Sequence, residues 1–111
     1  MPRMEKTEAK ELIGRRLGIE CSRLALSQKT AAAIAGCSRR SWNYYEAGCN
    51  TPDSVQLAAM DQAGFDILFI ITGRRSRRVR IAELVRIAER VSQARETSSS
   101  EASTPHQGEI A

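Results

Sequence analysis

The sequence is short of aromatics, holds one histidine and has no long apolar run; each shortage closes off or weakens a class of protein. Its longest unbroken apolar stretch, Ile67 to Ile71, falls far below the roughly 20 residues that cross a bilayer. The N-terminal region has no apolar stretch of signal-peptide type, so no membrane contact and a cytoplasmic location are expected. The only histidine, His106, lies near the C-terminus, whereas a Ser-His or Cys-His pair needs a rigidly held imidazole. No enzyme is expected. Cys21, Cys37 and Cys49 are odd in number and lack C-x-x-C spacing, which predicts reduced thiols, no metal site and no cofactor. No Val/Ile/Thr-rich alternating segment bounded by turn residues occurs anywhere, which excludes a sheet and leaves an all-α chain. Aromatics make up only 5% of the residues, and without a stacking platform of exposed aromatics RNA is the weakest of the nucleic-acid readings.

What the chain has is basic charge and helical punctuation. Its 111 residues, 41% of them hydrophobic, suffice for one modest core. Seventeen Lys and Arg stand against thirteen Asp and Glu, and every base precedes residue 96. The folded part is therefore more basic than the net +4 of the whole chain. That imbalance points to a polyanion such as nucleic acid, with a solvated basic surface as the plainer alternative.

Residues 1–6 read as a flexible arm. A first helix is predicted from Thr7 to Leu24, with Leu12, Ile13, Leu17, Cys21 and Leu24 on one stripe and Lys10, Arg15, Arg16 and Arg23 mostly facing water. Gly18 should weaken it. Ser27 can cap a helix from Gln28 to Ala35 that Gly36 ends, and Ser38 can cap another from Arg39 to Ala47 that Gly48 stops. After Pro52, Asp53 and Gln56 have capping-box spacing for a fourth helix ending at Gly64. Asp66 caps a fifth, Ile67 to Thr72, closed by Gly73 and apolar enough to be buried. Residues 7–73 thus form one domain. An arginine run follows, Arg74, Arg75, Arg77, Arg78 and Arg80, as a solvated linker or a phosphate contact. Ile81, Leu84, Val85, Ala88 and Val91 then recur at helical spacing to Arg95, and the Ser/Thr/Glu-rich residues 96–111 should be disordered.

Between Gln28 and Ala47 the spacing becomes specific. Ala32 lies where two helices would cross, Gly36 makes the turn between them, and Cys37, Trp42 and Tyr45 face inward. Turning the second of these helices by 100° per residue puts Arg40, Asn43, Tyr44 and Ala47 on the opposite side, with Ser38 and Arg39 at its open end. Such side chains can read base edges: Arg pairs with guanine O6 and N7, Asn with adenine N6 and N7, and Tyr can meet a thymine methyl or a phosphate.

The stretch LSQ, then Ala35-Gly36, SRRSWNYYEAG and Pro52, resembles the XRE-type helix-turn-helix family of phage repressors and Cro proteins, over about Ile13 to Gly73. The later AGFDILFIITGRR is also similar to the closing helices of short repressors in that group. The resemblance implies a five-helix phage-repressor-like domain, here followed by a C-terminal helix and a tail. It also implies base reading by Arg39, Arg40, Asn43 and Tyr44, and a phosphate or operator-edge contact from Gln28. Lys29 and Ser38 complete the expected DNA-binding set. Three residues depart from the family pattern. Cys21 stands where the family has an arginine that pairs with the acid matching Glu46, Ala25 where a glycine often ends the first helix, and Trp42 where a smaller aliphatic is usual. Glu46 is then expected to pair with Arg23 or Arg16, or to stay exposed near phosphate.

The expected function is sequence-specific binding of double-stranded DNA by a homodimeric transcriptional repressor on a palindromic operator. The sixth helix is a candidate dimer seam, or it packs back on its own domain. The alternatives are an antitoxin-type protein that binds a protein partner and autoregulates its promoter, and a nonspecific nucleoid or RNA binder.

Overall fold

The computed structural model describes residues 4–110, and the side chains of residues 4–96. Among the described residues it is all-α, with six helices and no strand. The chain divides into two compact units, Met1–Ser76 and Arg77–Ala111.

In the first unit, local capping chemistry sets the helix ends. Helix α1 (Lys6–Arg23) is followed by α2 (Gln28–Ala35), where the Ser27 hydroxyl accepts the Thr30 N–H at 3.1 Å. Gly36, at φ 76°, turns the chain in the left-handed region, and Ser38 accepts the Ser41 N–H at 3.1 Å to start α3 (Arg39–Glu46). Asp53 and Gln56 form a complete capping box at the head of α4 (Ser54–Gln62). Asp66 accepts the Phe69 N–H at 3.2 Å to start α5 (Ile67–Thr72).

Leu17, Trp42, Met60, Phe65 and Ile70 are fully buried at the centre of this unit. Ala31, Ala32 and Ala35 are buried on α2, and their small side chains let it lie close against α3 and α4. The Trp42 ring meets Tyr45 and Phe65 edge-on, each at a centroid distance of 6.2 Å.

Four sequence expectations need correcting. Arg16 and Arg23 do not mainly face water: Arg16 Nη1 donates to the carbonyls of Ile70 and Ile71 at 3.4 and 3.2 Å, and Arg23 pairs with Glu20. The last carbonyls of α5 need donors, and a long cation on α1 supplies them. Helix α5 is not buried all round, since Leu68 and Ile71 are 42% and 50% exposed. Its six residues turn only one side to the core. The first unit extends past Gly73 to Ser76 because Arg75 and Ser76 are tied to it, as described below. Finally, α6 (Arg77–Ile110) starts before Ile81 and continues through residues 96–110, where composition predicts disorder. A helix satisfies its own backbone hydrogen bonds, so a segment with little to bury can still adopt one. The side chains from residue 97 onward lie outside the described residues.

Ala25 is the only non-glycine residue with positive φ among those described, at 57°. The left-handed conformation costs an L-residue about 1–2 kcal/mol, and glycine recovers part of this after its own entropic loss. Ala25→Gly should therefore raise stability by about 0.5–1 kcal/mol in urea unfolding; a loss would mean that the alanine methyl makes packing contacts worth more than the strain.

Candidate nucleic-acid interface

Helix α3 has one side locked and one side open. On the locked side Trp42 is wholly buried, and its indole Nε1 donates to Glu46 Oε1 at 2.6 Å. The Tyr45 hydroxyl donates to Gln56 Oε1 at 3.2 Å, the same amide oxygen that accepts the Asp53 N–H in the α4 capping box. A buried ring, a charge-assisted hydrogen bond and a tie to α4 fix both the rotation and the position of α3.

The open side presents Arg39, Arg40, Asn43, Tyr44 and Ala47, all exposed, with exposed Ser38 at its N-cap. Arg40 Nε donates to the Tyr44 hydroxyl at 3.1 Å, and its guanidinium carbon lies 5.7 Å from the Tyr44 ring centroid. The face thus carries two guanidinium groups, a carboxamide and a phenol, and no carboxylate. Two arginines in the first turn of a helix oppose its dipole, so their placement does not serve helix stability.

Lys29 is exposed at the start of α2, while Gln28 beside it is half-buried, its Nε2 donating to Glu46 Oε2 at 3.2 Å. Glu46 therefore pairs with neither Arg23 nor Arg16, as the sequence suggested, but with Trp42 and Gln28. The physical reason is reach and competition. Trp42 lies one turn earlier on the same helix, and both arginines are taken by other acceptors. Cys21 is buried; desolvation, then the Glu46 and Glu20 carboxylates, push its thiol up to about 11, so it remains protonated at neutral pH.

A second polar cluster escaped the sequence reading. Glu20 is fully buried and Asp66 nearly so. Glu20 accepts from Arg23 at 2.8 and 2.9 Å, from Arg75 Nη1 at 2.6 Å and from the Asp66 N–H at 2.7 Å. Asp66 Oδ2 accepts the Ser76 N–H at 3.0 Å, and the Arg75 guanidinium lies 3.8 Å from the Phe69 ring centroid. Arg75 is thus a structural member of the arginine run, neither a solvated linker residue nor free for phosphate. A signal was available: Glu20 follows Leu17 by three positions on the apolar stripe of α1, where a charge must find cations.

Among the described residues, no group of three His, Cys, Asp or Glu could hold a metal ion, and no helix is long and apolar enough to cross a membrane. The chain matches no protein-family model and no curated protein.

Proposed function

We propose that this protein is a non-catalytic transcriptional regulator of helix-turn-helix type that binds double-stranded DNA sequence-specifically, with α3 in the major groove. The observation that carries this reading is the two-sided construction of α3. Trp42 is buried without remainder, while Arg39, Arg40, Asn43 and Tyr44 all stand exposed on the other side. A rigid helix with donors on its outer face is what major-groove readout requires. The exposed Lys29 and Ser38 add contacts suited to phosphate, and the surplus of bases before residue 96 supplies attraction to a polyanion. Gln28, held by Glu46, contributes through its remaining amide hydrogen and oxygen.

One such helix covers only a few base pairs, so the working species is a homodimer on two half-sites about 34–36 Å apart, or a multiple of that. Ile81, Leu84, Val85, Ile87 and Val91 on α6 are each 45% to 65% exposed, which supports that helix as a source of apolar contact area for the second copy. The location implied is the cytoplasm, where the DNA is.

Selection from a randomised duplex library at about 150 mM salt, where long-range charge attraction is largely screened, tests the reading. An inverted repeat should be enriched. Arg39→Ala or Arg40→Ala should then weaken binding to the selected site about tenfold or more, and weaken binding to random DNA far less. Equal losses on both would reduce these arginines to phosphate contacts, and retention without a motif would replace the reading with nonspecific binding or with a role that depends on a protein partner.

A further inference from the structure

Resting on the DNA reading, the geometry points to Tyr44 as a positioning residue that sets Arg40 to read one guanine. An exposed arginine has many rotamers and normally must be ordered by its ligand. Arg40 is already ordered, because its Nε donates to the Tyr44 hydroxyl at 3.1 Å and its guanidinium carbon lies 5.7 Å from the centroid of the same ring.

Which nitrogen is engaged decides what the group can still do. Nε is the inner donor of the guanidinium, so its engagement leaves the hydrogens of both terminal nitrogens free. Those two nitrogens form the fork that matches the O6 and N7 acceptors of guanine, a pair that no other base presents in the major groove. The Tyr44 hydroxyl accepts from Arg40 and keeps its own hydrogen to donate. Both residues sit on the exposed side of α3, one turn apart, while Trp42 between them is buried, so the pair is carried on a fixed helix. Tyr44 therefore acts through Arg40 and does not itself choose the base.

The test is library selection on the full-length chain as wild type, Arg40→Ala, Tyr44→Phe and the double variant. Tyr44→Phe keeps the ring and removes only the hydroxyl. Tyr44 is exposed, so unfolding followed by Trp42 fluorescence should be unchanged. The expected result is a wild-type motif with a guanine at a position whose preference Arg40→Ala lowers roughly tenfold. Tyr44→Phe should lower the preference at that same position about threefold to tenfold, leave the preferences at the other positions unchanged, and add nothing in the Arg40→Ala background. The inference is overturned if Tyr44→Phe leaves every preference intact, if the two single variants alter different positions, or if their shared position is not guanine. A wild-type library that yields no motif overturns the DNA reading first, and this inference with it.

Discussion

Gly14→Ala should destabilise the first unit by about 3 kcal/mol, near the upper end of the usual cost of overpacking, while the same substitution one turn later, Gly18→Ala, should stabilise it by up to about 1 kcal/mol. A Cβ on Gly14 would fall 2.5 Å from the carbonyl oxygens of both Tyr45 and Glu46 and 2.9 Å from the Glu46 carbonyl carbon. These are backbone atoms at the C-terminal end of α3, so no side chain can swing aside; α1 and α3 must separate. Helix α1 packs more extensively on α3 than on any other element, and separation there would be felt throughout the core. At Gly18 the nearest atom to a Cβ is the Glu46 carboxylate oxygen Oε2 at 4.0 Å, an ordinary contact, so only the gain in helix propensity remains. Trp42, the single tryptophan, is buried in this unit and reports its unfolding directly. For a unit of this size the expected shifts in Tm are a drop of roughly 10–20 °C and a rise of a few degrees. Shifts of the same sign in the two variants would show that helix propensity, and not the approach of α1 to α3, governs both positions.

The contrast between the two glycines shows what sequence patterning can reach. Gly18 was legible as a weak point because propensity is a local property, and the same is true of the caps at Ser27, Ser38, Asp53 and Asp66. Each of those caps bonds a backbone N–H three residues on, and α2 and α5 begin and end where the punctuation places them. The open side of α3 was likewise legible, since one buried ring in an eight-residue helix fixes which side chains point outward. The Gly14 contact was not, although the glycine lies on the same face as Leu17 and Cys21, because a close backbone approach depends on which helix arrives opposite. Nor was the destination of Glu46, which depended on Gln28 crossing from another helix and on Arg16 and Arg23 being engaged elsewhere. Glu20 is the extreme case, with partners 46 and 55 residues away that no local pattern encodes.

Removing that carboxylate should cost nearly as much as the Gly14 clash. Glu20→Ala leaves the Asp66 N–H without its acceptor and deprives Arg23 and Arg75 of their shared anion. Stripping one partner from a buried ion cluster typically costs about 3–5 kcal/mol, and the lower figure applies here because the Arg23 and Arg75 side chains are 20% and 29% exposed and recover some hydration. Desolvation alone would raise the pKa of Glu20, but the hydrogen bonds from Arg23, Arg75 and the Asp66 N–H outweigh it and hold the carboxyl below its ordinary 4.5. The unfolded chain therefore takes up the proton more readily than the folded one. The contribution of Glu20 to stability is complete above about pH 4.5 and is lost as pH falls through the lower folded value. Wild-type Tm should accordingly fall in that acidic window, and Glu20→Gln, which cannot titrate, should start lower at neutral pH and fall less. The cluster also holds Arg75 and Ser76 to the first unit, so Glu20→Ala should release Arg75 and, on the proposed DNA reading, steepen the salt dependence of binding to random DNA when assayed below the variant's Tm. A Glu20→Ala variant within 0.5 kcal/mol of wild type, or parallel Tm curves for wild type and Glu20→Gln through the acidic window, would show that the two arginines find equivalent partners in water and that the cluster follows the fold without holding it.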